Sequence, residues 1–97
     1  MIETRFSWDD RKATENERKH RVSFEEAASV FLDENAIEFF DPDHSESEDR
    51  FIMLGISWRL RLLVVSYAVH EADTHIRIIS ARKATRNESK AYTREKP

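Results

Sequence analysis

Apolar residues recur at helical spacing in the first third of the chain and merge into nearly continuous apolar runs in the second half. Ser23 and Glu26 stand three apart where Phe24, Ala27, Ala28 and Phe31 share one face of a 3.6-residue repeat. This predicts a capping box opening a core helix through "VSFEEAASVFLDE". Upstream, "TRFSW" (4–8) reads as a short edge strand. Asp9 follows as the N-cap of a first helix running to about His20, with Asp10 near the positive end of its dipole. One face of that helix is Ala13, Asn16, Glu17 and His20. It offers almost nothing apolar to bury, so packing alone does not explain the helix.

"AIEFF" (36–40) reads as a strand ended by Asp41 and Pro42, after which "DHSESED" is a polar loop. Three more strands are predicted at 50–57, 61–69 and 75–81. The links "WRL" and "HEAD" are short enough for hairpins, although neither has the glycine that the tightest ones prefer. Thr85 and Glu88 form a second capping box, opening a last helix towards about Arg94. The expected class is α+β: an antiparallel meander with two N-terminal helices and one C-terminal helix. In the runs 50–57 and 61–69 both faces are apolar. The second face therefore needs a cover, supplied by helices divided between the faces or by a partner protein.

A chain of 97 residues is expected to form a single domain over 1–97. It has no cysteine, which removes disulfides, thiolate metal sites and a cysteine nucleophile. "MIETRFSWDD" lacks the basic start and apolar stretch of a signal peptide, and no run is long enough to cross a bilayer. A cytoplasmic location without membrane attachment is expected. The net charge of -3 conceals an uneven distribution: 33–50 holds eight acids and one base, whereas 82–97 holds six bases and two acids. Such asymmetry suits a solvated face, or two faces meeting partners of opposite charge.

The four histidines share no metal-ligand spacing and the acidic loop has no central glycine, so no metal site or cofactor is expected. No serine sits in a nucleophile elbow, and the single glycine, Gly55, excludes a glycine-rich phosphate loop. What remains is a set of cations beside a proton carrier: Lys19 and His20, Arg61, Arg77, and Arg82, Lys83 and Arg86. Cleaving RNA through its own 2′-hydroxyl requires a base, an acid and positive charge at the phosphorus. Histidine and arginine supply these, and Trp8 and Tyr67 offer rings for unpaired bases. Each residue also has a structural reading. His20 can cap the first helix, Arg77 can pair with an acid such as Glu38, Trp8 can plug the core, and Tyr92 can bond Glu88 or rest on the sheet.

"FSWDDRKATENERKHRVSFEEAASVF", "FDPDHSESEDRFIMLG", "RLLVVSY" and "IRIISARKATRNESKAY", in that order over nearly the whole chain, closely resemble the BrnT family of type II toxins. The resemblance implies a RelE-like fold and a ribonuclease that arrests translation without a metal. It also implies neutralisation by a BrnA-like ribbon-helix-helix antitoxin, through which alone the complex would reach operator DNA. Trp8, Lys19 and His20 match the family's first motif, Arg61 its central strand, and Arg77, Ser80, Arg82, Glu88 and Tyr92 its last. On this basis Arg77 and Arg82 are expected to stabilise the phosphate and transition state, with Lys19 or His20 carrying the proton. Trp8, Arg61, Tyr67, Lys83 and Tyr92 are expected to hold RNA. The chain departs from the family at Arg21, where glycine is usual and a left-handed residue would close the helix, and at Asp10, where proline is common. Two other functions compete: a non-enzymatic module docking on a DNA-binding partner, and direct DNA binding. The latter is disfavoured by the acidic charge and the lack of a helix-turn-helix pattern.

Overall fold

The computed structural model describes residues 4–70, 72 and 74–95. The elements are β1 (Arg5–Ser7), α1 (Asp10–His20), α2 (Phe24–Ser29), a 3-10 turn (Val30–Leu32), β2 (Ile37–Phe40), a second 3-10 turn (Pro42–His44), β3 (Arg50–Ile56), β4 (Leu62–His70), β5 (His75–Lys83) and α3 (Arg86–Glu95). Their order is the one expected. Among the described residues no helix is long and apolar enough to cross a membrane.

The five strands form one sheet in the order β1-β5-β4-β3-β2. Strands β2 to β5 make the antiparallel meander, but β1 pairs with β5 in parallel. The sheet is therefore mixed, not purely antiparallel. The chain must cross over through both N-terminal helices before β5 exists, so β1 cannot reach that edge as a hairpin neighbour. The β4–β5 link falls partly on Glu71 and Asp73, which lie outside the described residues.

Local chemistry accounts for the helix ends. Asp9 accepts from the Lys12 N–H at 3.1 Å and so caps α1. Arg21 closes it in the left-handed region, φ 61°, with its N–H on the Glu17 carbonyl. Ser23 accepts from the Glu26 N–H at 3.0 Å, but the Glu26 carboxylate does not return the bond. It turns inward to Arg61 and Ser57. The second box is reciprocal: the Thr85 N–H donates to Glu88 at 2.7 Å, and the Glu88 N–H to Thr85 at 3.2 Å.

The helices divide between the two faces. On the front, α1, α2 and the first 3-10 turn bury Val22, Phe24, Ala27 and Val30 against Leu63, Val65, Tyr67, Ile78 and Ala81. On the back, α3 lays Tyr92 on Leu54 and Val64. Gly55 is needed for the front packing, because a Cβ there would lie 2.8 Å from Val30 and 2.9 Å from Ala36.

Candidate active site

Strand β5 carries an irregularity that decides which cations meet. Tyr67 of β4 opposes Ile78, but Ser66 opposes Ser80, so Ile79 is an extra residue without a partner. Such a bulge resets the alternation of side chains. Arg77 and Arg82 are five residues apart, which in a regular strand would place them on opposite faces. Here they oppose Ala68 and Val64, four residues apart on β4, and so share the back face with Ser66 and Ser80.

The first helix reaches this face through Asn16, which is buried despite its polarity. Strand β1 pairs only with 75–77, leaving the rest of that edge of β5 open. The Asn16 amide fills the gap as a strand would. It accepts from the Ala81 N–H at 3.1 Å and donates to the Ala81 carbonyl at 2.8 Å and the Val22 carbonyl at 3.0 Å. One turn further on, His20 therefore arrives over the edge beside Arg82.

The result is a trough of about 240 Å³ on the back face, lined by His20, Ile52, Val64, Ser66, Ser80 and Arg82. It continues across Ser66 and Ser80 into a second hollow bounded by Asp41, His44 and Arg50. Among the described residues the His20 ring makes no hydrogen bond, and Arg21 rather than His20 closes the helix. His44 Nδ1 lies 2.9 Å from Asp41. Arg82 grips Glu88 with two bonds of 2.8 Å and touches the Lys83 carbonyl at 3.3 Å. Bonding to Arg82 holds the Glu88 carboxyl down at about 2. A guanidinium has five N–H donors, so Nε–H and one Nη2–H of Arg82 remain for an anion. Around one trough the imidazole can serve as a base and the guanidinium supplies positive charge for in-line transfer at a phosphodiester.

A family model described as the ribonuclease toxin BrnT of type II toxin-antitoxin systems matches residues 8–88. The chain belongs to the BrnT family. Its fold is similar to the crystal structure of the Brucella abortus ribonuclease toxin BrnT, with a TM-score of 0.63 and 21% identity over 86% of this chain and 99% of that one. No curated protein matches the chain.

Against this BrnT framework several expected site residues lie elsewhere. Tyr67 is buried on the front face with its hydroxyl on Glu38, and burial followed by that contact pushes its ionisation far above the usual tyrosine range. It cannot stack on a base at the trough. Arg61 is spent on the buried Glu26 and on the Arg21 carbonyl at 2.9 Å. Burial alone would raise the Glu26 carboxyl, but the bonds from Arg61 and Ser57 hold it below the usual range. Trp8 packs edge-on against Phe24 at 6.0 Å on the front. Tyr92 is buried under α3 and donates to Asp33, not to Glu88, at 2.7 Å; burial, then Asp33, raises it to about 12. Arg77 shares the face of Arg82 but not its trough. It pairs with Glu48, rather than the Glu38 suggested by sequence, at the far end of the sheet. Glu48 also meets Arg50 at 3.3 Å and His70 at 3.1 Å. Lys19 and Lys83 are exposed and outside the trough.

The residues missed from sequence are Asn16, Ser66, Arg50 and His44. A signal existed for one of them, Ser66. Ser66 interrupts "LLVVSYAV" as Ser80 interrupts "IRIISA", and two hydroxyls in otherwise apolar strands mark a wet spot on a covered sheet. Nothing local distinguished Asn16, because its partner lies 65 residues away.

Proposed function

We propose that this chain is a metal-independent endoribonuclease toxin of RelE-like fold, acting as a single domain over 1–97 in the cytoplasm. RNA lies across the back face of the sheet, with the scissile phosphate at the free edge of Arg82. Neutral His20 takes the 2′-hydroxyl proton, and the 2′-oxygen attacks phosphorus. The bond to O5′ breaks as His44, at the other end of the trough, protonates the departing oxygen. A 2′,3′-cyclic phosphate and a free 5′-hydroxyl result. Arg82 balances the charge that grows on the phosphate in the transition state, and Ser66 and Ser80 donate to its oxygens. Arg77 and Lys83 hold neighbouring phosphates, Arg77 by sharing itself between Glu48 and the RNA. A BrnA-like ribbon-helix-helix antitoxin neutralises the toxin and carries the complex to operator DNA.

The observation that supports this reading best is the meeting of His20, Arg82 and two hydroxyls in one open trough. Purified protein in EDTA should cleave RNA and leave cyclic phosphate ends. Arg82→Ala should slow cleavage about a hundredfold or more. His20→Ala should do so by a similar factor. Undiminished cleavage by Arg82→Ala would overturn the assignment. A chain that cleaves no RNA between about pH 5 and 9, where histidine changes charge, yet still associates with its partner would be an interaction module instead.

A further inference from the structure

The front face is not fully covered. The helices lie over β5, and the first 3-10 turn reaches β3. The ends of β3 and β4 nearest the 41–49 loop remain open. There a cavity of about 300 Å³ is bounded by Phe31, Phe51, Met53, Tyr67 and Val69, with Glu38 among its walls. The rings are in mutual contact: Phe31 meets Tyr67 edge-on at 4.8 Å, and Phe51 stacks on Tyr67 at 5.8 Å. Phe40, 53% exposed, extends the apolar surface outward from Phe51. One oxygen of Glu38 accepts from the Tyr67 hydroxyl, and the other has no partner among the described residues.

Aromatic faces beside a half-satisfied carboxylate select a cation with an apolar stem, because the ring quadrupoles and the carboxylate attract the charge while the rings cover the methylenes. The surroundings agree. The segment 33–50 that flanks the cavity holds eight acids and one base, which attracts a basic protein segment. We propose that this cavity is the receptor for an arginine or lysine on an apolar stretch of the antitoxin, on the face opposite the RNA trough. The inference takes its partner from the toxin-antitoxin reading but not its chemistry, which belongs to the cavity itself. Neutralisation would then hold the toxin from the front while leaving the back face for the antitoxin's remaining chain to cover.

Two measurements test it. Ac-Leu-Ala-Arg-Ala-Leu-NH2 should shift the ring resonances of Phe31, Phe51 and Tyr67 and bind about tenfold more tightly than the same peptide with glutamine, while the glutamate peptide should not bind. Glu38→Gln keeps an acceptor for Tyr67 and should erase the difference between the arginine and glutamine peptides. In the complex with co-produced antitoxin, Glu38→Arg should weaken association by about tenfold or more while RNA cleavage by the free toxin is unchanged. Equal binding of the arginine and glutamine peptides, no shifts at all, shifts confined to the Ser80 and Arg82 face, or an unaltered complex with Glu38→Arg would each overturn the proposal. Because cleavage is read separately, a chain inactive on RNA would count against the ribonuclease reading alone.

Discussion

Asn16 carries more of the structure than its chemistry advertises. Its amide satisfies both backbone groups of Ala81 and the Val22 carbonyl. Asn16→Ala would strand all three in a buried place, at a cost of about 2–3 kcal/mol, readable as a lower urea midpoint. The cleavage rate should fall with it, since His20 loses the anchor one turn away. Arg21 works in the other direction. At φ 61° it holds a conformation that costs an L-residue roughly 1 kcal/mol, and the bond it provides to Arg61 comes from its carbonyl. Arg21→Gly should therefore stabilise the fold by up to about 1 kcal/mol. The sequence reading identified that position from the family's glycine, and the left-handed angle bears it out. It had no means of identifying Asn16, because a polar residue on a helix face looks solvated until the strand edge it completes is known.

At the level of elements, side-chain bonds tie α3 to β5 and to the segment that follows the first 3-10 turn. Glu88 joins it to Arg82 and Tyr92 joins it to Asp33. Glu88 titrates at about 2 in the fold, against an ordinary 4.5. Between those values the unfolded chain binds more protons than the folded one, so stability rises with pH there. The contribution is complete above about pH 4.5 and disappears as pH falls towards 2. Glu88→Gln should accordingly flatten the acid limb of a plot of urea midpoint against pH, besides weakening the capping box. Tyr92→Phe should cost about 1 kcal/mol by removing one hydrogen bond, and Tyr92→Ala about 3–5 kcal/mol by opening a cavity over Leu54 and Val64. Hydrogen exchange should localise both losses to α3 and β3. Both N-caps were legible, since each depends on residues three apart, but only Thr85 and Glu88 complete the reciprocal box. The direction in which Glu26 and Glu88 spend their carboxylates was not, since Arg61 and Arg82 come from other elements.

Across the whole molecule, charge separates along the strands. The end where α1 and β5 finish and α3 begins gathers His20, Arg21, Arg61, Arg82, Lys83 and Arg86, whereas the opposite end holds the acidic 41–49 loop. RNA binding should therefore weaken steeply with salt. The log-log slope should fall in magnitude by about 0.7 in Arg82→Ala, one phosphate contact on a single strand, while Tyr67→Phe, facing the other side, should leave it unchanged. The sequence by itself determined the order of elements, the helix caps, the need to cover both sheet faces and the residue types for phosphate chemistry. All of these follow from neighbours within a turn or from the two- and 3.6-residue periods. Only the tertiary structure decided the parallel edge strand, the bulge at Ile79 and the pairing of Asn16 with Ala81. With them it decided which of several exposed cations share one trough. Those outcomes depend on register and on partners distant in sequence, and a one-residue change of register moves a side chain to the other face without altering any local pattern.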